Sequence, residues 1–155
     1  MSDPTPARIV ELASERYDPA AFAARLDLAD AGAVATFTGY CRSEDGRLKA
    51  LELEHYPGMA LRMLGRIAAD ASRRHALTAI GVVHRHGVVP VGEPIVTVIA
   101  AARHRREAFA AAQQVMDYLK TDAPFWKKEH PVDGRKGEWV AAAQADDKAR
   151  ARWEI

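Results

Sequence analysis

Residues 33–56 read AVATFTGYCRSEDGRLKALELEHY. Val34, Thr36 and Thr38 alternate with Ala35, Phe37 and Tyr40, a second alternating run follows from Leu48 to Tyr56, and Asp45-Gly46 between them is a turn signal. The spacing predicts two strands paired as a hairpin. Beyond them Pro57-Gly58 breaks the chain, and Met59, Met63, Leu64, Ile67, Ala68 and Ala71 recur at helical spacing to about residue 74. Ala79 to Val83 and Ile95 to Ala101 predict a further strand pair, with Gly87, Pro90 and Gly92 in the loop between them. A long helix is expected from Arg105, its apolar stripe running through Ala108, Phe109, Ala112, Val115, Met116 and Leu119, with Lys120 at the stripe's edge. Residues 126–140 read as a loop and a short strand, and 146–153 as a terminal helix. Asp18-Pro19 is an N-cap followed by proline at the first helical position, which predicts a short helix before the first strand. Residues 1–7 read as a loose leader and 8–155 as one domain. Antiparallel hairpins with helices packed on the sheet make an α+β fold.

The chain has 155 residues, enough to bury a core without cross-links. Its 22 basic and 21 acidic side chains give a formal charge of +1, so no global field draws it to nucleic acid or to an anionic membrane. An RNA-binding reading of Arg42 and Arg103 to Arg106 loses support for that reason, and because no exposed aromatics interleave with the basic residues. One cysteine, Cys41, allows no internal disulfide and fits a reducing compartment such as the cytosol. No apolar run approaches the ~20 residues of a membrane span, and the N-terminus lacks the pattern of a signal peptide.

Two basic clusters could carry chemistry. Lys120 and Lys127 stand seven apart around Pro124-Phe125-Trp126, read as a rigid aromatic turn. Against apolar walls a lysine becomes a proton donor, an anion clamp or a nucleophile; in water both would be ordinary snorkelling charges. Arg103-His104-Arg105-Arg106 opens the long helix, where positive charge opposes the helix dipole. Either a bound anion offsets that cost, or the cluster is a solvated turn paired with an acid such as Glu107. Arg42, just past the first strand, is a third basic candidate. Cys41 beside it reads as a small buried residue. His84 and His86 lie two apart on a predicted strand, but no third ligand has convincing spacing, so no metal site is expected. Phosphate-binding glycine loops and a Gly-x-Ser-x-Gly elbow are absent.

Over roughly residues 30 to 153 the chain resembles the catalytic (large) subunit of molybdopterin synthase. The resemblance rests on Thr36-Phe37-Thr38-Gly39 with Arg42, Leu53 to Met59, His84-Arg85 with Gly87, His104-Arg105 with Ala108-Phe109, and Met116 to Lys120 continuing through Pro124-Phe125-Trp126-Lys127. It implies an α/β-hammerhead fold with an additional α+β part. It also implies conversion of cyclic pyranopterin monophosphate to molybdopterin, by adding two sulfurs as a dithiolene. The sulfur is expected from the C-terminal Gly-Gly thiocarboxylate of a small ubiquitin-like partner, in a heterotetramer built on a homodimer of large subunits. No metal or organic cofactor is implied.

The same resemblance marks Lys120 and Lys127 as catalytic, and Arg42, His104 and Arg105, with Lys128 and Glu129 beside them, as substrate-binding. A phosphate and a thiocarboxylate entering one pocket both need cations. The retained lysines argue against a non-catalytic homologue. Two positions depart from the family pattern: Cys41 stands where valine is expected, and Ala143 where some members carry arginine, with Arg135 or Lys136 as candidates to replace that charge.

Overall fold

The computed structural model describes residues 5, 7–56, 58–121, 125–140 and 144–154, the last stretch with backbone only for 144–147. In chain order the elements are β1 (Arg8–Ala13), α1 (Pro19–Ala23), β2 (Ala33–Tyr40), β3 (Leu48–His55), α2 (Met59–Arg74) and β4 (Ala79–Arg85). Then follow β5 (Gly87–Pro90), β6 (Pro94–Ala102), α3 (Arg105–Leu119), β7 (Phe125–Pro131), β8 (Trp139–Val140) and α4 (Gln144–Ala151). The strands form two four-stranded sheets, ordered β1-β4-β6-β2 and β5-β3-β7-β8. Only the β1–β4 pairing is parallel. One mixed and one antiparallel sheet with four helices among the described residues make the α+β class expected.

The first sheet holds the main core. All of β4 is buried, because α2 and α3 cover one face and α1 the other. Leu64, Ile67, Ala68 and Ala71 of α2 and Ala108, Ala111, Ala112 and Val115 of α3 meet Ile80, Val82, Val98 and Ala100 from the strands. Phe22 and Leu26 cap the opposite face over Ala79, Val83, Ile99 and Ala101. Small side chains let α2 and α3 lie close to the sheet and to each other. Asp18 caps α1 as the sequence predicts, accepting a bond from the Ala20 N–H, with Pro19 in the first turn.

The hairpin expected from residues 33–56 does not form. β2 pairs with β6 in the first sheet, whereas β3 lies between β5 and β7 in the second. The linking segment is anchored elsewhere: Cys41 exchanges backbone bonds with Glu93 and Gly92, and Leu48 N–H closes onto Ser43 O. Glu44, Asp45 and Gly46 all have positive φ (53°, 58° and 83°), which turns the chain out of one sheet and into the other. Period two was read correctly in each run. It cannot say which strand is the neighbour.

The further differences are local. β1 lies in a segment given no element, and β5 lies in the segment read as a loop. Phe125 and Trp126 belong to a strand and not to a turn, while Pro57, Pro124 and Ala143 lie outside the described residues. Phe109, placed in the apolar stripe of α3, is 67% exposed. The buried stripe runs one position over, through Ala108, Ala111, Ala112, Val115 and Leu119. The terminal helix begins at Gln144, and it is tied down through Trp153, whose Nε1 donates to Asp117 at 2.6 Å while the Arg74 guanidinium covers its ring.

Arg85 joins the two sheets. It ends β4, with its side chain 6% exposed, and donates to Glu93 Oε1 at 2.7 Å and to the Val88 carbonyl of β5 at 3.3 Å. Gly87 (φ 84°) makes the bend between the two strands. Removing one partner of a buried pair leaves the other charge desolvated and unpaired, at a cost of about 3–5 kcal/mol. Arg85→Ala should therefore lower unfolding free energy by about that much, measured by urea denaturation; a loss below about 1 kcal/mol, the range of an exposed pair, would deny Arg85 this role.

Candidate active site

Where the two sheets meet, a cleft of about 420 Å³ opens. Phe37, Gly39 and Tyr40 of β2 form one side, Met116, Leu119 and Lys120 at the end of α3 another, and Phe125, Lys127 and Glu129 of β7 a third. Arg42, Glu44, Leu51, His84, Ile95 and Val96 complete most of the wall. Apolar side chains thus surround a small number of charges.

Local folding explains which charges face inward. In β7, pleating sends Phe125, Lys127 and Glu129 to the cleft and Trp126 and Lys128 to the other face. There Trp126 meets Tyr56 edge-on at 4.8 Å and the Lys128 ammonium lies 5.9 Å above the Trp139 ring. Lys128, expected in the substrate-binding set, is therefore outside the cleft. Lys120 is the C-cap of α3, and its N–H reaches back to the Met116 and Tyr118 carbonyls. A cation is favoured at that end of a helix. The lysines come from elements separated in the chain but converge on one space.

Each acid in the cleft has an arginine. Glu44 pairs with Arg42 at 3.0 Å. Glu129 accepts both forks of Arg47, at 3.2 and 2.9 Å. Arg42 lies at the mouth, exposed, so its guanidinium can exchange this partner for another anion.

His84 is the wall residue that sequence reasoning weighed only as a metal ligand. Its Nδ1 lies 2.7 Å from the Arg85 carbonyl and its ring stacks on Phe125, with centroids 3.8 Å apart and planes 11° from parallel. Burial pushes its pKa down to about 4, against the backbone bond, and Lys127, Lys120 and His86 act in the same direction as burial. The ring is neutral at pH 7. A histidine directly after the apolar and small run Ala79 to Val83 was the available signal. His86, shifted down by burial, His55 and Arg85, sits edge-on to His55 at 4.6 Å.

Cys41 is buried, and burial raises its thiol pKa, so the sulfur stays protonated. Arg103 to Arg106 are exposed at the opposite end of α3. Neither His104 nor Arg105 lines the cleft, since ~20 Å of helix separates them from Lys120. Arg135 pairs with Asp133, and neither it nor Lys136 reaches the cleft. Among the described residues no group of three or more His, Cys, Asp or Glu could hold a metal ion, and no helix is long and apolar enough to cross a membrane.

The family model described as MoaE protein matches residues 12–122. The chain belongs to the MoaE family. A molybdopterin synthase catalytic subunit from Mesorhizobium japonicum is 53% identical over 94% of this chain and 92% of its own length. The solved molybdopterin biosynthesis MoaE protein from Burkholderia ambifaria covers 96% of this chain and 99% of its own at 43% identity, with a TM-score of 0.77. A structure from Helicobacter pylori, a complex of subunits 1 and 2 of molybdopterin-converting factor, shares the fold at 17% identity and a TM-score of 0.66 over 91% of this chain and 92% of its own. This MoaE member is an enzyme of molybdopterin synthesis, in the molybdenum cofactor pathway.

The depressed His84 pKa has a consequence for stability. Between pH 6.5 and 4 the unfolded chain binds a proton that the folded chain does not, so folding weakens as pH falls through that window, by roughly 3 kcal/mol at most. His84→Phe keeps an aromatic ring on Phe125 and cannot titrate. Urea midpoints at pH 7 and pH 4.5 should differ less in His84→Phe than in the wild type; an equal difference would mean that His84 is not held neutral.

Proposed function

We propose that the cleft binds cyclic pyranopterin monophosphate together with the thiocarboxylate tail of a small partner subunit, and that Lys120 and Lys127 serve the sulfur transfers that build the dithiolene. The observation that carries the reading is the convergence of Lys120, Lys127 and Arg42 on one cleft whose remaining wall is largely apolar. In such a space an ammonium neutralises an incoming anion and can donate a proton as charge moves, with little reorganisation. Arg42 holds the phosphate. Glu129, engaged by Arg47, borders that site. The reading needs no metal or organic cofactor, because both sulfurs arrive on the carrier. Its partner is a small ubiquitin-like subunit ending in Gly-Gly, and its setting is the cytoplasm.

His104 and Arg105 fit this reading in a homodimer. They lie a helix length from Lys120 within one chain, so a second copy would supply them to the cleft of the first. Lys128 has no place in the substrate set.

A single-turnover assay with thiocarboxylated partner and cyclic pyranopterin monophosphate tests the lysines. Lys120→Ala and Lys127→Ala should each lower dithiolene formation by about 100-fold or more while circular dichroism stays unchanged; either variant at the wild-type rate would remove that lysine from the mechanism.

Mixing variants tests the shared site. Lys120→Ala and His104→Ala, each defective alone, should recover activity when their subunits are exchanged into mixed dimers, because one of the two clefts is then intact. No recovery in demonstrated mixed dimers would mean that His104 of one copy does not serve the cleft of the other.

A further inference from the structure

His84 is a buried polar group at the cleft that the lysine chemistry leaves unused. Three constraints fix its ring. The Arg85 carbonyl takes Nδ1–H, Phe125 covers one face, and the strand carrying it is buried throughout. A proton on Nδ1 makes Nε2 an acceptor in the neutral ring. His84 also lines the cleft, so the ring's remaining polar atom is the one available to it. Lys127 from β7 and Lys120 from α3 line the same cleft, and both, with the neighbouring His86, disfavour a proton on the ring. Lys127 stands two residues beyond Phe125 on the same face of β7, so the ring that stacks on His84 and a lysine lining the same cleft belong to one stretch of strand.

We propose that His84 is a positioning residue for Lys127: its Nε2 accepts a hydrogen bond from the ammonium, directly or through one water, and so aims that group at the reacting sulfur. This rests on the reading of Lys127 as a residue of the sulfur-transfer site. A lone pair attracts the ammonium without competing for the anions that the cleft must bind, as a carboxylate there would. A protonated ring would repel Lys127. Deep burial keeps the ring from reaching that state near neutral pH.

Two substitutions separate this role from packing. Both remove the aromatic stack, but His84→Asn can keep the bond to the Arg85 carbonyl while offering nothing at Nε2, whereas His84→Gln places an amide oxygen near Nε2. His84→Asn should lower the single-turnover rate about 10-fold or more relative to His84→Gln, the worth of one hydrogen bond to a charged group, at matched melting temperatures. Equal rates in the two variants would overturn the proposal. Nitrogen-15 spectra of histidine-labelled protein at pH 7 provide a readout independent of turnover. The Nε2 resonance of His84 should move in Lys127→Met while Nδ1 keeps its protonated position, and an unmoved Nε2 would equally overturn it. If the wild type formed no product, the functional reading would fail, while the nitrogen spectra would still decide whether His84 and Lys127 interact.

Discussion

A guanidinium taken out of water needs every bond it can find, and Arg85 finds them across the seam between the sheets. Its side chain is bound to Glu93 and to the Val88 carbonyl of β5, and its own carbonyl receives His84 Nδ1. Its Nε is buried without a partner, so the arrangement is costly as well as directional. That cost is tolerated at a joint, where direction matters. With β4 joined to β5 there, β3 and β7 follow through the ladder of the second sheet, and residues of both sheets line the cleft.

From this joint the charge pattern follows by pleating. β7 alternates an aromatic, a lysine and a glutamate toward the cleft with a tryptophan and a lysine away from it. One strand therefore provides both a cation that lines the cleft and, on its reverse, an aromatic surface where Lys128 lies over Trp139. Glu44 is held by Arg42, just past β2, and Glu129 by Arg47, just before β3. The cleft keeps an excess of positive charge in a chain whose total is +1.

Local periodicity made much of the fold legible. The α2 and α3 helices, the β4–β6 pairing and the cap at Asp18 can be read from spacing, because each depends on neighbours in the chain. The β2–β3 hairpin failed for a nonlocal reason: partners of β2 and β3 lie far along the sequence, and the left-handed run at Glu44 to Gly46 redirects the chain between sheets. The Phe125-Trp126 start of β7 resembles a turn because a proline precedes it in the sequence. For the site, the types of Lys120, Lys127 and Arg42 pointed to anion chemistry, but only the strand face separates Lys127 from Lys128. His84 was visible as a residue and not as a wall, since its neighbour Phe125 is 41 positions away.

Cys41 shows what the interior withholds. It is the chain's one thiol, one residue from an arginine at the cleft mouth, yet it is 2% exposed and held protonated. A thiolate at that position would be a nucleophile at the cleft mouth, able to attack an activated carbonyl carbon and form a thioester as the original leaving group departs. Sealing the thiol and keeping its proton on removes that competing nucleophile from the edge of the cleft. It also spares the protein the oxidative chemistry to which an exposed, low-pKa cysteine beside Arg42 would be subject.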